Sequence, residues 1–207
     1  MNLTEFKIIF WWEWIHRFLG RLIGICFLIP LIYFALKKGI NETKSLIFIF
    51  LLICFQGFLG WFMVQSGLIN RVDVSHFRLS MHLATAFIIL SLILWQILKC
   101  KKLYINESHI IKYNLPLIFL LIVFLQIIFG AFVSGMDAGK IYNTWPLMGS
   151  SFFPDDSKLY EFFSITVFDS RSLVQFIHRN LAYLIIIFYI YLCIIVFTQK
   201  DKTLYKY

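Results

Sequence analysis

Three histidines, His16, His82 and His178, each have an arginine close by: Arg17, Arg78 and Arg179. Glu13 stands three residues before His16, a spacing that puts both side chains on one face of a helix. Neutral imidazole is the commonest protein ligand for transition metals, and two histidines on facing helices can hold a haem iron from both sides. A guanidinium can grip a carboxylate, such as a haem propionate, with two parallel hydrogen bonds. The other reading of Arg17, Arg21, Arg78 and Arg179 is that they reach out to lipid headgroups. Glu13 is the acid–base candidate, because a carboxylate at an apolar entrance can relay protons; the competing explanation is a helix-start charge favoured by the macrodipole. His76 and His109 fall in predicted loops and read as ordinary solvated histidines.

For side chains so far apart in the chain to share a site, the segments carrying them must run side by side. The composition says what those segments are. Sixty per cent of the residues are hydrophobic and 14% are charged, and the mean hydropathy is strongly positive, far from an ordinary soluble domain. Apolar runs at about 15–36, 45–65, 79–98, 115–134 and 173–198 each reach the ~20 helical residues that cross a ~30 Å hydrocarbon core. A β-barrel would need alternating segments of about 10 residues, which these continuous runs are not. The expected fold is therefore all-α, a polytopic transmembrane bundle of about five spans. No run reads as a cleavable signal peptide.

Successive spans alternate direction, so loop charges can be assigned to sides. One side holds Lys37, Lys38, Lys44, Lys99, Lys101, Lys102, Lys112, Lys200, Lys202 and Lys206 against Glu42, Glu107 and Asp201. That side is expected to be cytoplasmic, or the matrix in an organelle. The other side holds the N-terminus, Asp73 and a long segment of about 135–172 with Asp137, Asp155, Asp156, Glu161 and Asp169. The formal charge of +8 is thus a topology signal, and no nucleic-acid partner is expected. With this orientation the first, third and fifth spans run inward, and His16, His82 and His178 share a depth near the outer face, where ionisable residues are costly and usually functional. Cys26, Cys54, Cys100 and Cys193 form no CxxC pair and no C-x-x-C-H haem-attachment motif, so neither a structural disulfide nor covalent haem is expected.

The second and fourth spans end alike, QGFLGWFMVQSGL (56–68) and QIIFGAFVSGMDAG (126–139), aligning Gln56 and Gly60 with Gln126 and Gly130. This internal repeat predicts two related halves: 1–98, with three spans and the His16/His82 pair, and 99–207, with two spans, the long external loop and His178. A histidine helix beside a Gln/Gly helix fits a bundle around a cofactor; close helix packing by small residues is the alternative.

The motifs EWIHRFLGR (13–21), QGFLGWFMVQSGL (56–68), FRLSMHLATA (77–86), GAFVSGMDAGKIYNTWPLMG (130–149) and VQFIHRNLAY (174–183) occur in the order found in the haem A synthase family, and the chain resembles that family over nearly its whole length. The resemblance implies an inner-membrane oxidoreductase that converts a ring methyl of haem O to a formyl group, removing electrons and adding oxygen from water, to make haem A for cytochrome c oxidase. It implies two four-helix halves, each with a histidine pair, one half for the substrate haem O and one for a haem b cofactor. Carried over, His16 and His82 are the first pair, His178 is one ligand of the second haem, and Glu13 matches the acidic residue proposed to act in catalysis. Against the family pattern, this chain begins at the second helix and stops after the sixth, so the histidine that pairs with His178 is expected from helices supplied in trans or from a homo-oligomer. Haem O synthase and oxidase assembly proteins are the implied partners, with the lipid bilayer as solvent. The alternatives are a non-catalytic haem-binding subunit or an inactive truncated remnant.

Overall fold

The structure, a computed structural model, describes residues 2–67, 74–101 and 114–198. Among these residues there are five α-helices and no strand: α1 (Leu3–Lys38), α2 (Lys44–Gly67), α3 (His76–Cys100), α4 (Asn114–Gly135) and α5 (Arg171–Thr198). All five are long and apolar enough to cross a membrane, so the chain is an all-α polytopic membrane protein. Each helix packs on the next in sequence, most extensively α3 on α4 and α4 on α5. His109 lies outside the described residues, as do Asp73, Lys102, Glu107, Lys112, Lys200, Asp201, Lys202 and Lys206.

Helix α1 starts about twelve residues before its apolar run. Its 36 residues span roughly 54 Å at ~1.5 Å per residue. The start is set by a capping box in which Asn2 accepts from the Glu5 N–H at 2.8 Å and Glu5 accepts from the Asn2 N–H at 3.0 Å, satisfying two orphan donors reciprocally. Glu5, Lys7 and Glu13 dilute the hydropathy of this stretch without interrupting the helix. His16 therefore sits several turns inside α1, whereas His82 and His178 sit about two turns inside α3 and α5. The overhang carries exposed Phe6, Phe10, Trp11 and Trp12, the side chains that favour the headgroup region.

Most large apolar side chains face outward, as expected where lipid is the solvent. The tightest packing instead lies at one end of α4 and α5, where Ala131, Phe132, Ala138, Met148, Leu173 and Val174 are buried beneath the segment joining the two helices. This segment contains short 3-10 helices at Ala138–Lys140, Leu159–Phe163 and Ile165–Phe168. His76 belongs to this end too, which corrects its reading as a solvated loop residue. It opens α3, its side chain is 13% exposed with Nε2 3.6 Å from Asp169, and its ring stands edge-on to Phe132. The surrounding rings and the approach of Gly135 to its backbone enclose it.

Two carboxylates fasten the connecting segment. Asp155 accepts from the Ser150 N–H and from the hydroxyls of Ser150 and Ser151, and the Ser150 bonds hold its carboxyl below the ordinary 3.8. Burial pushes Asp156 up, but hydrogen bonds from Ser172 at 2.6 Å and Tyr142 at 2.9 Å outweigh it and leave this carboxyl below 3.8 as well. A depressed folded value stabilises the fold fully above the unfolded value and ceases to do so as pH falls through the folded one. Amide protection across 149–157, corrected for intrinsic exchange, is therefore expected to stay level from neutral pH down to about pH 4 and to fall below it. Loss of protection already between about pH 7 and pH 5 would contradict this role.

Candidate functional site

The first cluster lies where α1, α2 and α3 meet. Here the rings of His16 and His82 face each other with centroids 6.4 Å apart and planes at 63°. A metal–imidazole bond is about 2 Å long, so two imidazoles on opposite sides of one ion have ring centres roughly 6 Å apart. The pair fits a bis-imidazole metal site, and two ring nitrogens as donors are the ligand set of a low-spin haem iron. Among the described residues the buried Nδ1 of His82 has no hydrogen-bond partner.

Glu13, one turn before His16, and Arg17, the residue after it, bind each other, Nη1 to carboxylate at 3.1 Å, with both side chains substantially exposed. Arg78 donates to the Phe62 carbonyl at 2.9 Å and stacks 3.8 Å over the Phe62 ring. One edge of its guanidinium is thus engaged in tying α3 to the end of α2, while the other N–H groups of the five-donor fork remain for a ligand carboxylate.

The second cluster surrounds His178 on α5. The Gln126 amide nitrogen lies 3.4 Å from His178 Nε2, and His178 Nδ1 is buried without a hydrogen-bond partner among the described residues. Arg179 donates to the carbonyls of Thr144, at 2.9 Å, and Tyr142. Gln175 donates to the same Tyr142 carbonyl at 2.9 Å, and Trp145 Nε1–H donates to the Tyr183 hydroxyl at 2.7 Å. The segment joining α4 and α5 is thereby latched over the first turns of α5. Among the described residues no second histidine ring faces His178, and no group of three or more metal-ligating side chains forms. All four cysteines are free.

The structure thus brings His16 and His82 together, sets Glu13 and Arg17 beside them, and keeps His178 and Arg179 in a separate cluster. The repeat set a Gln/Gly helix beside each histidine helix, and the structure adds the contacts: Gln56 donates to the His82 carbonyl at 2.9 Å, and Gln126 reaches the His178 ring. Their discoverable signal was polarity within apolar runs. Tyr142 and Thr144 carried no such mark, because they act through backbone carbonyls in an irregular segment, whereas Gln175, polar within the α5 run, carried it and acts through its side-chain amide.

The family model for COX15-CtaA, described as cytochrome oxidase assembly protein, matches residues 1–207. The chain is 48% identical over 203 residues to a protein named haem A synthase from Pelagibacter ubique, covering 97% of this chain and 60% of that protein. It is 46% identical over 211 residues to the haem A synthase of Flavobacterium psychrophilum (98% and 60%) and 44% identical over 213 residues to that of Rickettsia bellii (100% and 63%). No solved structure matches it significantly. The chain spans about 60% of the length of these curated relatives. With the family model matched from end to end and identities above 40%, the chain belongs to the COX15-CtaA family of cytochrome oxidase assembly proteins.

Proposed function

We propose that this chain works as a haem A synthase-type membrane oxidoreductase, with His16 and His82 holding the substrate haem O and Glu13 accepting protons as a ring methyl is oxidised to a formyl group. The observation that carries the reading is the facing His16/His82 pair at 6.4 Å, with a carboxylate one helical turn from His16. Converting a methyl to a formyl group takes oxygen from water and releases protons together with electrons, so a proton acceptor beside the macrocycle is required. Arg17 and Arg78 are proposed to receive propionates through the donors that their protein contacts leave over. His178, with Arg179 next to it, would hold haem b, which when bound supplies one-electron transfer. In this reading both clusters lie near the outer face of an inner membrane, the Lys-rich loops face the cytoplasm or matrix, and haem O synthase and oxidase assembly proteins are partners.

The detergent-purified chain is expected to take up haem and to show the reduced-minus-oxidised spectrum of a low-spin bis-histidine iron. His16→Ala and His82→Ala should each weaken uptake at this site by more than the ~10–100-fold typical of losing an outer-shell partner. Uptake equal to the parent in both variants would refute the assignment. A second reading, a non-catalytic haem-binding subunit, is favoured by one observation: the Glu13 carboxylate is already engaged by Arg17.

A further inference from the structure

The two halves of the repeat place a glycine against the same ring atoms of a histidine, with a glutamine one turn away that contacts the backbone of that histidine in one half and its ring in the other. A methyl group built on Gly60 would lie 3.1 Å from His82 Cε1, and one built on Gly130 would lie 3.1 Å from His178 Cε1; in both cases the ring nitrogens come next, at 3.6–3.9 Å. Each glycine therefore lies against the edge of the imidazole that carries both nitrogens, so close that a methyl group in its place would push the ring aside by a few tenths of an ångström. One turn earlier on the same helix is the glutamine. Gln56 donates to the His82 carbonyl at 2.9 Å, and Gln126 sets its amide nitrogen 3.4 Å from His178 Nε2. In both copies the glutamine Oε1 and the histidine Nδ1 are buried without a hydrogen-bond partner among the described residues. Two segments some seventy residues apart in sequence thus repeat one arrangement, whereas a methyl group built on Gly57, on the same helix as Gly60, would meet nothing within 4 Å.

We propose that Gly60 with Gln56, and Gly130 with Gln126, are positioning residues that set the ring orientation of His82 and His178 for axial ligation. The part concerning ligation rests on the haem-binding reading; the part concerning ring orientation does not. An imidazole can meet iron along its lone pair only if its ring is held in a narrow range of rotation, and such supporting contacts govern how tightly a metal is kept. A glycine provides a flat ledge of backbone for that purpose. Alanine is the better helix former, so the stability of α2 or α4 as a helix gives no reason for glycine at these positions.

The test uses the full chain in detergent with histidine labelled with 13C at Cε1, resonances being assigned through His82→Ala and His178→Ala. Gly60→Ala is expected to move the His82 resonance and leave that of His178 in place, Gly130→Ala the reverse, and Gly57→Ala to move neither. Loaded with protohaem, Gly60→Ala should also change the low-spin electron paramagnetic resonance signature and speed haem loss by at least ~10-fold, with Gly57→Ala like the parent. Gln56→Ala should do the same more weakly. If Gly60→Ala and Gly130→Ala leave both resonances where they are, the proposal is overturned. A parent chain that takes up no haem refutes the haem reading instead, while the resonances still decide whether the glycines orient the rings.

Discussion

Haem A formation is expected to fall by ~10²–10⁴-fold on Glu13→Gln, the range typical for removal of a general acid or base, while haem uptake stays at the parental level. The reason lies in the geometry around His16. Glu13 shares its helix face and accepts a hydrogen bond from Arg17 at 3.1 Å. Glutamine has nearly the same size and keeps an oxygen for Arg17, so the local packing and the His16/His82 pair survive. What it cannot do is accept a proton released during oxidation of the methyl group. The measurement is chromatography of pigments extracted from membranes in which parent or variant chain is co-expressed with haem O synthase, together with a redox difference spectrum for haem content. Parental haem A levels in the variant would leave Glu13 as the salt-bridge partner of Arg17 and favour the non-catalytic subunit.

The segment joining α4 and α5 supplies the second large effect. Gly149 has φ of +95°, a conformation that a side chain resists, and a methyl group on it would overlap Asp155 Oδ2 and lie 2.7 Å from the Asp155 Cγ. Gly149→Ala therefore combines backbone strain with a clash against the carboxylate that gathers Ser150 and Ser151. The sum is roughly 2–5 kcal/mol of local stability, from about 1–2 for the backbone and about 1–3 for overpacking. Because Tyr142 lies 3.3 Å from the same methyl and its carbonyl receives both Gln175 and Arg179, the damage should spread to the latch over α5. Hydrogen exchange is expected to accelerate across 142–157 with helix content unchanged, and haem at His178, where present, should become more solvent-accessible. Parental protection in this segment would show that the turn does not need glycine.

These two predictions differ in how far they could have been made from residue types alone. The five spans were legible because the bilayer itself dictates them: only a long apolar helix can cross it, so hydropathy reports α2 to α5 to within a few residues. It misplaced the start of α1, where an Asn2–Glu5 capping box rather than apolarity begins the helix. Histidine, glutamate and arginine types were equally legible, being costly inside a membrane, and the repeated Gln and Gly stood out by alignment.

Side-chain direction was not legible. A helix that is apolar all round carries no amphipathic stripe to mark its buried face, so nothing in the residue pattern says that Gly60 lies under His82, that Gln126 reaches His178, or that Arg78 stacks on Phe62. Nor does an irregular segment such as 136–170 have a period to read, and its order comes from Asp155, Asp156 and carbonyls at Tyr142 and Thr144 meeting donors far away in sequence. The sequence by itself determined the class of protein, the spans and the chemistry on offer, because those follow from transfer energies of individual residues. Only the tertiary structure decided which histidines face each other and which arginines are already engaged, because that depends on the rotation of each helix about its own axis, set by packing and by hydrogen bonds between helices.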